Sequence, residues 1–336
     1  MEQEATSHAT SHTAANLDTI LRPDQWEGYI GQGQIKDNLR VLLDAAKQRE
    51  QNPEHLLFYG PPGLGKTTLS YLIAKEIGAQ IKITSGPAIE KVSDLASILT
   101  NLGEGDVLFI DEIHRLNKSI EEVLYPAMEN GTLDIIIGKG PSARTVQLDL
   151  PAFTLVAATT RISLLSPPLR SRFSGGVHRL ELYSHDEIAT IVKNSSKVLG
   201  VAIEESAAKE IARRARSTPR TANYLLKRCR DIAQLEGSQI TQTVVEKTMA
   251  MQGVDHLGLN DIDRETLRVM MEKFGGGPVG LSTIAAAISE DPSTIEEVYE
   301  PYLLQQGLIQ KTPRGRMVTE AAYEHLEIEL PDGFGL

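Results

Sequence analysis

Apolar residues recur along the chain with two different periods, and the change between them divides it. Between residues 33 and 50, Ile35, Leu39, Leu42, Leu43 and Ala46 fall three and four apart, which places them on one face of a helix. Residues 55–59 are instead a short apolar run ending at glycine, which predicts a buried strand entering a turn. Residues 67–77 predict the helix that follows, and the runs at 106–110 and 153–158 predict two more buried strands. Buried strands separated by helices predict an α/β domain with a parallel, doubly wound sheet.

After Leu182 the strand pattern stops. Ile188, Ile191, Val192, Val198 and Leu199 take helical spacing, as do Ala207, Ala208, Ile211 and Ala212. A third set is Ala222, Leu225, Leu226, Cys229, Ile232 and Ala233, so the second domain reads as a small all-helical one. From about Asp255 a third unit begins, with helices at 263–274, 281–289 and 293–306, the last opened by a Ser/Thr start. Strand runs at 308–311 and 316–319 flank a Thr-Pro-Arg-Gly turn, and three helices followed by a hairpin is a winged-helix arrangement. The expected boundaries are a tail at 1–16, then domains at 17–182, 183–254 and 255–336.

Composition narrows the class. A length of 336 residues suits two or three domains, and 41% hydrophobic with 24% charged residues is ordinary for a globular protein. No stretch approaches the ~18 apolar residues of a membrane-spanning helix, so no membrane role is expected. The opening MEQEATSHATSHTAAN lacks the apolar core of a secretory signal and reads as a disordered tail, with His8 and His12 as loose polarity within it. The single cysteine, Cys229, cannot form an internal disulfide, which suits a reducing cytoplasm. A net charge of −11 argues against a body coated in DNA-binding surface, yet leaves room for a short basic element.

The chemistry concentrates where predicted strands end. Gly60-Pro-Pro-Gly63-Leu64-Gly65-Lys66-Thr67-Thr68 sits between a strand and a helix, the setting of a phosphate-binding loop. Its glycines let backbone N–H groups curl around phosphate oxygens. Lys66 is placed to reach the β- and γ-phosphates of ATP, and the Thr67 hydroxyl to ligate Mg²⁺. The strand at 106–110 runs into Asp111, a second Mg²⁺ ligand, and Glu112, which can polarise an attacking water. His114 completes a D-E-x-H string and reads as support or packing. Thr159 and Thr160 end the next strand, where a hydroxyl can sense the γ-phosphate. Arg170 and Arg172 follow a Pro-Pro break, a suitable place for an arginine finger, and Arg220 opens a later helix from which it can close on the same nucleotide.

These strings together resemble the RuvB family of AAA+ ATPases, the bacterial motors of Holliday-junction branch migration. GPPGLGKTT, DVLFIDEIHRL, EEVLYPAME, IGKGPSAR, SPPLRSRF, STPR, FGGGPVGL, EPYLLQQG and KTPRGRM carry the likeness, which runs from Leu21 to about Leu326. The resemblance implies a P-loop AAA+ ATPase domain, a small helical lid and a C-terminal winged-helix head. It implies a homo-hexameric ring that pumps duplex DNA in recombination and repair, with RuvA holding the four-way junction and RuvC in the resolving complex. By the same resemblance Leu21 and Arg22 seat the nucleotide, with Tyr29 and Ile30 beside the adenine and Tyr183 and Arg220 contacting it from the lid. Arg172 matches the finger, with Arg170 in reserve, and Glu129, Asn130 and Gly131 line the site from a subunit interface. Lys311 and Arg316 match DNA-touching positions, with Arg314 between them. Two departures stand out: residues 174–176 look one residue longer than the family's link, and Lys311 replaces a common arginine, which loses the fork geometry.

Two β-prone runs, 132–137 and 145–148, bracket Gly138-Lys139-Gly140-Pro141 and predict an inserted hairpin. Ile135, Ile136, Ile137, Val146 and Leu148 are more apolar than a solvated hairpin requires. They either pack on the domain's own core or dock a helical partner, which the resemblance implies is RuvA. Other readings of the chain are a clamp loader, a protein unfoldase or an ATP-switched DNA-binding initiator. Against the last, the head lacks a base-reading array of Arg, Asn and Gln, and Glu296, Glu297 and Glu300 on its third helix would repel phosphate. The wing, with three basic and no acidic residues from Tyr302 to Val318, is the expected DNA contact.

Overall fold

The computed structural model describes Leu17, residues 19–137 and residues 144–331. The predicted tail before Leu17 and the hairpin turn at Gly138–Pro141 lie outside the described residues. The chain divides into two compact units, residues 1–200 with 218–223, and residues 201–217 with 224–336. Among the described residues no helix is long and apolar enough to cross a membrane.

The first unit is built on five parallel strands: β1 (Leu56–Tyr59), β2 (Ile81–Ser85), β3 (Val107–Asp111), β6 (Thr154–Thr159) and β7 (Gly176–Arg179), in the order β2-β3-β6-β1-β7. The three predicted strands, β1, β3 and β6, are buried almost throughout, and they occupy the centre of the sheet. β2 and β7 escape the hydrophobic pattern because they are its edges: each is half-exposed and interrupted by Lys82 and Thr84, or by His178. Leu57, Leu108, Ile110, Leu155 and Ala157 face one core with Leu95, Leu99, Ile120 and Leu124. The alternate residues Leu56, Phe58, Phe109 and Val156 are equally buried, as a sheet covered on both faces requires.

Around the sheet stand α1 (Gly33–Gln48), α2 (Lys66–Glu76), α3 (Val92–Thr100) and α4 (Lys118–Asn130). α4 starts where the Asn117 side chain accepts the Ile120 N–H, and ends at Gly131 in the left-handed region. It leads into an antiparallel hairpin, β4 (Thr132–Ile137) and β5 (Arg144–Asp149), whose register pairs Leu133 with Leu148 and Ile135 with Val146. A short helix α5 (Pro167–Arg170) is capped by Ser166, and α6 (His185–Val198) opens on a reciprocal Ser184–Glu187 capping box.

The second unit contains α7 (Glu205–Arg214), most of α8 (Pro219–Glu236), α9 (Gln242–Met251) and the head. In the head, α10 (Asp261–Phe274) and α11 (Leu281–Ile288) pack with Leu303, Leu308, Val318 and Tyr323 around one core. The helix expected at 293–306 is present, running from 292 to 305, but it is not α throughout. A turn at Pro292–Thr294, capped by Asp291 rather than by Ser293, passes into a π-type segment Ile295–Tyr299 and then α12 (Glu300–Gln305). Pro301 has no N–H to donate, so the ladder cannot continue in α register there. The wing strands are β8 (Ile309–Thr312) and β9 (Gly315–Val318), followed by α13 (Glu320–Leu326).

Candidate nucleotide site and wing

The loop between β1 and α2 wraps the C-terminal edge of the sheet, where nucleotide-binding α/β folds hold their ligand. Gly63 and Gly65 adopt φ of 81° and 96°, a region that L side chains rarely enter. A Cβ at Gly65 would also lie 3.0 Å from the Tyr29 hydroxyl, so the loop closes against that ring. Lys66 is buried, and its Nζ donates to the carbonyl oxygens of Gly60 at 2.8 Å and Pro61 at 2.9 Å. Burial pulls its pKa below the usual lysine value, while the carboxylates of Glu112 and Asp111 act to raise it and Arg220 lowers it further.

Asp111 ends β3 and accepts the Glu112 N–H at 2.9 Å. Burial raises its carboxyl pKa, opposed by that amide. Glu112 stands at φ 48°, a turn that swings its side chain back toward β6. There the Thr160 hydroxyl donates to Glu112 Oε2 at 3.0 Å, and His114 Nδ1 lies 3.1 Å from the same oxygen. His114 Nδ1 is also 2.8 Å from the Thr159 hydroxyl, so β3 and β6 are joined by one polar chain at their ends. The sequence pattern places Thr159 and Thr160 near the phosphates and His114 as support or packing, but not the connection between them, which depends on which strands are neighbours.

Tyr29 and Tyr183 are both buried and both donate to the Leu64 carbonyl, at 3.3 and 3.2 Å. Burial raises both phenol pKa values, that of Tyr29 especially. Gln32 bonds both ways to the backbone of Glu181, and Lys36 donates to the Tyr29 carbonyl at 2.8 Å. Tyr29, Ile30 and Tyr183 are thereby brought to the flank of the phosphate loop, although 149 residues separate Gln32 from Glu181. Leu21 is buried beside them in sequence, and the Arg22 guanidinium lies 5.3 Å from the Tyr71 ring centroid. The Arg220 N–H donates to the Gly63 carbonyl at 3.4 Å, which puts the start of α8 against the loop.

Arg172 is placed differently. Its Nη2 pairs with Glu129 Oε1 at 3.1 Å, its Nη1 donates to the Pro168 carbonyl at 2.7 Å, and its guanidinium lies 4.3 Å from the Tyr125 ring centroid. Arg172 and Glu129 thus meet each other, and Asn130 and Gly131 follow at the exposed end of α4. Arg170 is exposed and has no ion-pair partner among the described residues. Tyr125, which lies against the arginine, and Glu121 and Ser166, which bond the Tyr125 hydroxyl, belong to no chemistry-bearing motif in the sequence. Their signal is the spacing Glu121, Tyr125, Glu129, one face of a helix at i, i+4, i+8.

In the head, the wing turn is closed by a Thr312 hydroxyl bond to the Gly315 carbonyl at 2.8 Å. Gly315, at φ 140°, packs so closely on the Val279 carbonyl that no Cβ could fit. Lys311 and Arg316 are cross-strand neighbours, and both reach Glu300: Lys311 Nζ at 3.0 Å and Arg316 Nε at 2.5 Å. The Glu300 side chain is 4% exposed, that of Arg316 12% and that of Lys311 53%. Burial would raise the Glu300 pKa, but the two cations outweigh it and hold the carboxyl below the usual glutamate value. Glu296 lies at the edge of the same group, 3.9 Å from Lys311. Arg314 is exposed at the tip.

Three family models match in succession: the Holliday junction DNA helicase RuvB P-loop domain over residues 21–180, the RuvB AAA lid domain over 183–255 and the RuvB C-terminal winged-helix domain over 256–327. The chain belongs to the RuvB family. Among solved structures it is similar to the Thermotoga maritima RuvB Holliday junction branch migration motor, at 47% identity over 93% of this chain and 100% of that one, with a TM-score of 0.84. It is also similar to a lysine-to-arginine mutant of that RuvB, at 47% identity over 93% and 99% of the chains and TM-score 0.83. A proline-to-glycine mutant matches at 47% identity over 92% and 100%, with TM-score 0.85. Membership accounts for the parallel sheet with helices, the lid and the winged helix, and it makes the chain an ATP-driven DNA motor.

Proposed function

We propose that this RuvB-family motor drives branch migration of four-way DNA junctions as a homo-hexameric ring on duplex DNA, in the cytoplasm, with RuvA as the junction-holding partner and RuvC in the resolving complex. The observation that carries the reading is a phosphate loop that holds buried Lys66 on two of its carbonyls and takes the Arg220 N–H on Gly63, in a sheet whose β3 ends in Asp111 and whose β6 end bonds Glu112, in a chain that also has a winged helix. The clamp-loader, unfoldase and initiator readings lose their ground, since all three matched domain models are those of RuvB.

In this reading the loop amides at Gly63, Leu64 and Gly65 and the start of α2 bind the phosphates of ATP, and Lys66 exchanges its two loop carbonyls for β- and γ-oxygens. Thr67, Thr68 and Thr159 add hydroxyls along the phosphate chain. The Thr67 hydroxyl and the Asp111 carboxylate form an oxygen-only donor pair, which fits Mg²⁺. When bound, that ion neutralises charge on the β- and γ-oxygens. Glu112 accepts the proton of the attacking water, oriented by its bond from Thr160. Leu21, Arg22, Tyr29, Ile30 and Tyr183 hold the base and sugar end. Arg172, with Glu129, Asn130 and Gly131, faces the ATP of the next subunit.

DNA is gripped by the wing through Arg314, Lys311 and Arg316, without base contacts. RuvA docks on the β4–β5 hairpin, where Val146 and Leu148 are exposed. The decisive experiment supplies a synthetic four-way junction with this protein, ATP and RuvA. Resolution into duplexes that stops when ATP is replaced by a non-hydrolysable analogue is expected; persistence of the junction under conditions of active ATP turnover sinks the proposal.

A further inference from the structure

The arginine at 172 does not stand alone. Its guanidinium lies 4.3 Å from the Tyr125 ring centroid, within the range of a cation–π contact. Tyr125 is in turn fixed at its other end: its hydroxyl donates to Glu121 Oε2 at 3.2 Å and lies 3.0 Å from Ser166 Oγ. Ser166 donates to the same Glu121 oxygen at 2.6 Å and accepts the Leu169 N–H at 3.3 Å, which caps the helix leading to Arg172. Glu121 is 5% exposed. A buried carboxylate therefore ties together the platform under the arginine and the start of the turn that carries it.

We infer that Tyr125 is a positioning residue for the arginine finger, a rigid aromatic platform that Glu121 and Ser166 hold in place so that Arg172 is presented to the neighbouring subunit's ATP in one orientation. The inference rests on the proposed role of Arg172 across a subunit interface. Arginine has many rotamers, and an unguided side chain would spend little time aimed at the γ-phosphate. The ring removes that freedom without competing for the guanidinium N–H groups, because a cation–π contact takes none of them as hydrogen-bond donors to a polar partner. Of these groups, Nη1 and Nη2 are held by Pro168 and Glu129, while Nε is buried without a hydrogen-bond partner. The platform thus orients the cation while Glu129, exposed and single, remains a partner that a phosphate can replace.

The test is steady-state ATPase on duplex DNA for full-length Tyr125→Leu, Tyr125→Phe and Arg172→Ala. Tyr125→Leu is expected to lower kcat roughly 10-fold with KM for ATP unchanged, since the subunit's own pocket is intact. Tyr125→Phe keeps the ring and should stay within about 3-fold of wild type. Co-expressing differently tagged Tyr125→Leu and Lys66→Ala chains should give mixed rings more active than either parent, because a Lys66→Ala neighbour still offers an intact platform. A rise in KM at unchanged kcat, equal losses in Tyr125→Leu and Tyr125→Phe, or no rescue in mixed rings overturns the inference. Arg172→Ala separates the two levels. If it keeps wild-type kcat, the finger assignment itself is wrong; if it loses activity while Tyr125→Leu does not, only the platform is wrong.

Discussion

Two regions of this molecule carry the cations proposed to meet phosphates, and they hold those cations in opposite ways. Lys66 is anchored by two backbone carbonyls, which orient the ammonium but leave its charge in place. Lys311 and Arg316 are anchored by Glu300, which orients them and cancels part of their charge. A dipole-held cation remains a strong attractor for an anion, whereas a carboxylate-held one must share its attraction. The difference suits the tasks proposed for each region. A nucleotide must be gripped tightly for chemistry, but a head that steps along DNA must let go, and a ring can multiply several weak contacts.

The largest effects are expected at the nucleotide site. Lys66→Ala removes the buried ammonium that the loop carbonyls of Gly60 and Pro61 hold, and turnover should fall at least ~10³-fold. Purified variant protein that hydrolyses ATP at the wild-type rate would overturn the role given to the loop. Glu112→Gln keeps the shape of the side chain and its bond from Thr160, so nucleotide binding should persist while hydrolysis is lost. Loss of nucleotide affinity instead would make Glu112 a structural residue that ties β3 to β6.

The two regions were also unequally legible in the sequence. The phosphate loop and the acids of β3 are contiguous strings at the ends of buried strands, so residues 60–68 and 111–112 could be placed from local pattern alone. The platform under Arg172 joins residues 121, 125, 166 and 172 from two segments, and the β3–β6 neighbourhood that unites His114 with Thr159 is a property of strand order. In the wing the charges were legible but not their pairing. The sequence reads Glu300 as a charge that repels DNA, while the structure shows what no local pattern carries, that it is the partner of two wing cations 11 and 16 residues away. The π-type turn at Ile295–Tyr299 escaped because its residues have ordinary helical composition; only Pro301 marks the break.

An intermediate effect should separate the wing cations from one another. Arg314 has no carboxylate partner among the described residues, so Arg314→Ala should weaken duplex binding on any sequence and reduce the salt slope by about 1, with head stability unchanged. Arg316→Ala should act chiefly on the fold: it leaves the buried Glu300 with Lys311 alone, at a cost of about 3 kcal/mol in thermal unfolding. Equal losses of salt slope in both variants, with unchanged melting, would show that Arg316 is as free to meet phosphate as Arg314.

The smallest expected effect is the most informative about the comparison, because it changes how the wing cations are held without removing any of them. Glu300→Gln keeps an acceptor at the same place and removes one negative charge beside Lys311 and Arg316. The head should lose about 2 kcal/mol of stability, since two charge-assisted bonds become weaker ones. Its affinity for duplex DNA should nevertheless rise a few-fold, with a steeper salt dependence, because two cations are released from a competing carboxylate. Stability and affinity moving in opposite directions is an outcome that a merely disrupted wing cannot produce. Acid titration gives an independent check. The Glu300 pKa is lowered in the folded head, so its contribution is complete at neutral pH and fades as pH falls below the unfolded value of about 4.3 toward the folded one. The stability gap between wild type and Glu300→Gln should therefore close over that acid window and stay constant above it. If affinity falls together with stability, the carboxylate serves only to build the wing, and the contrast between dipole-held and carboxylate-held cations does not govern how this head grips DNA.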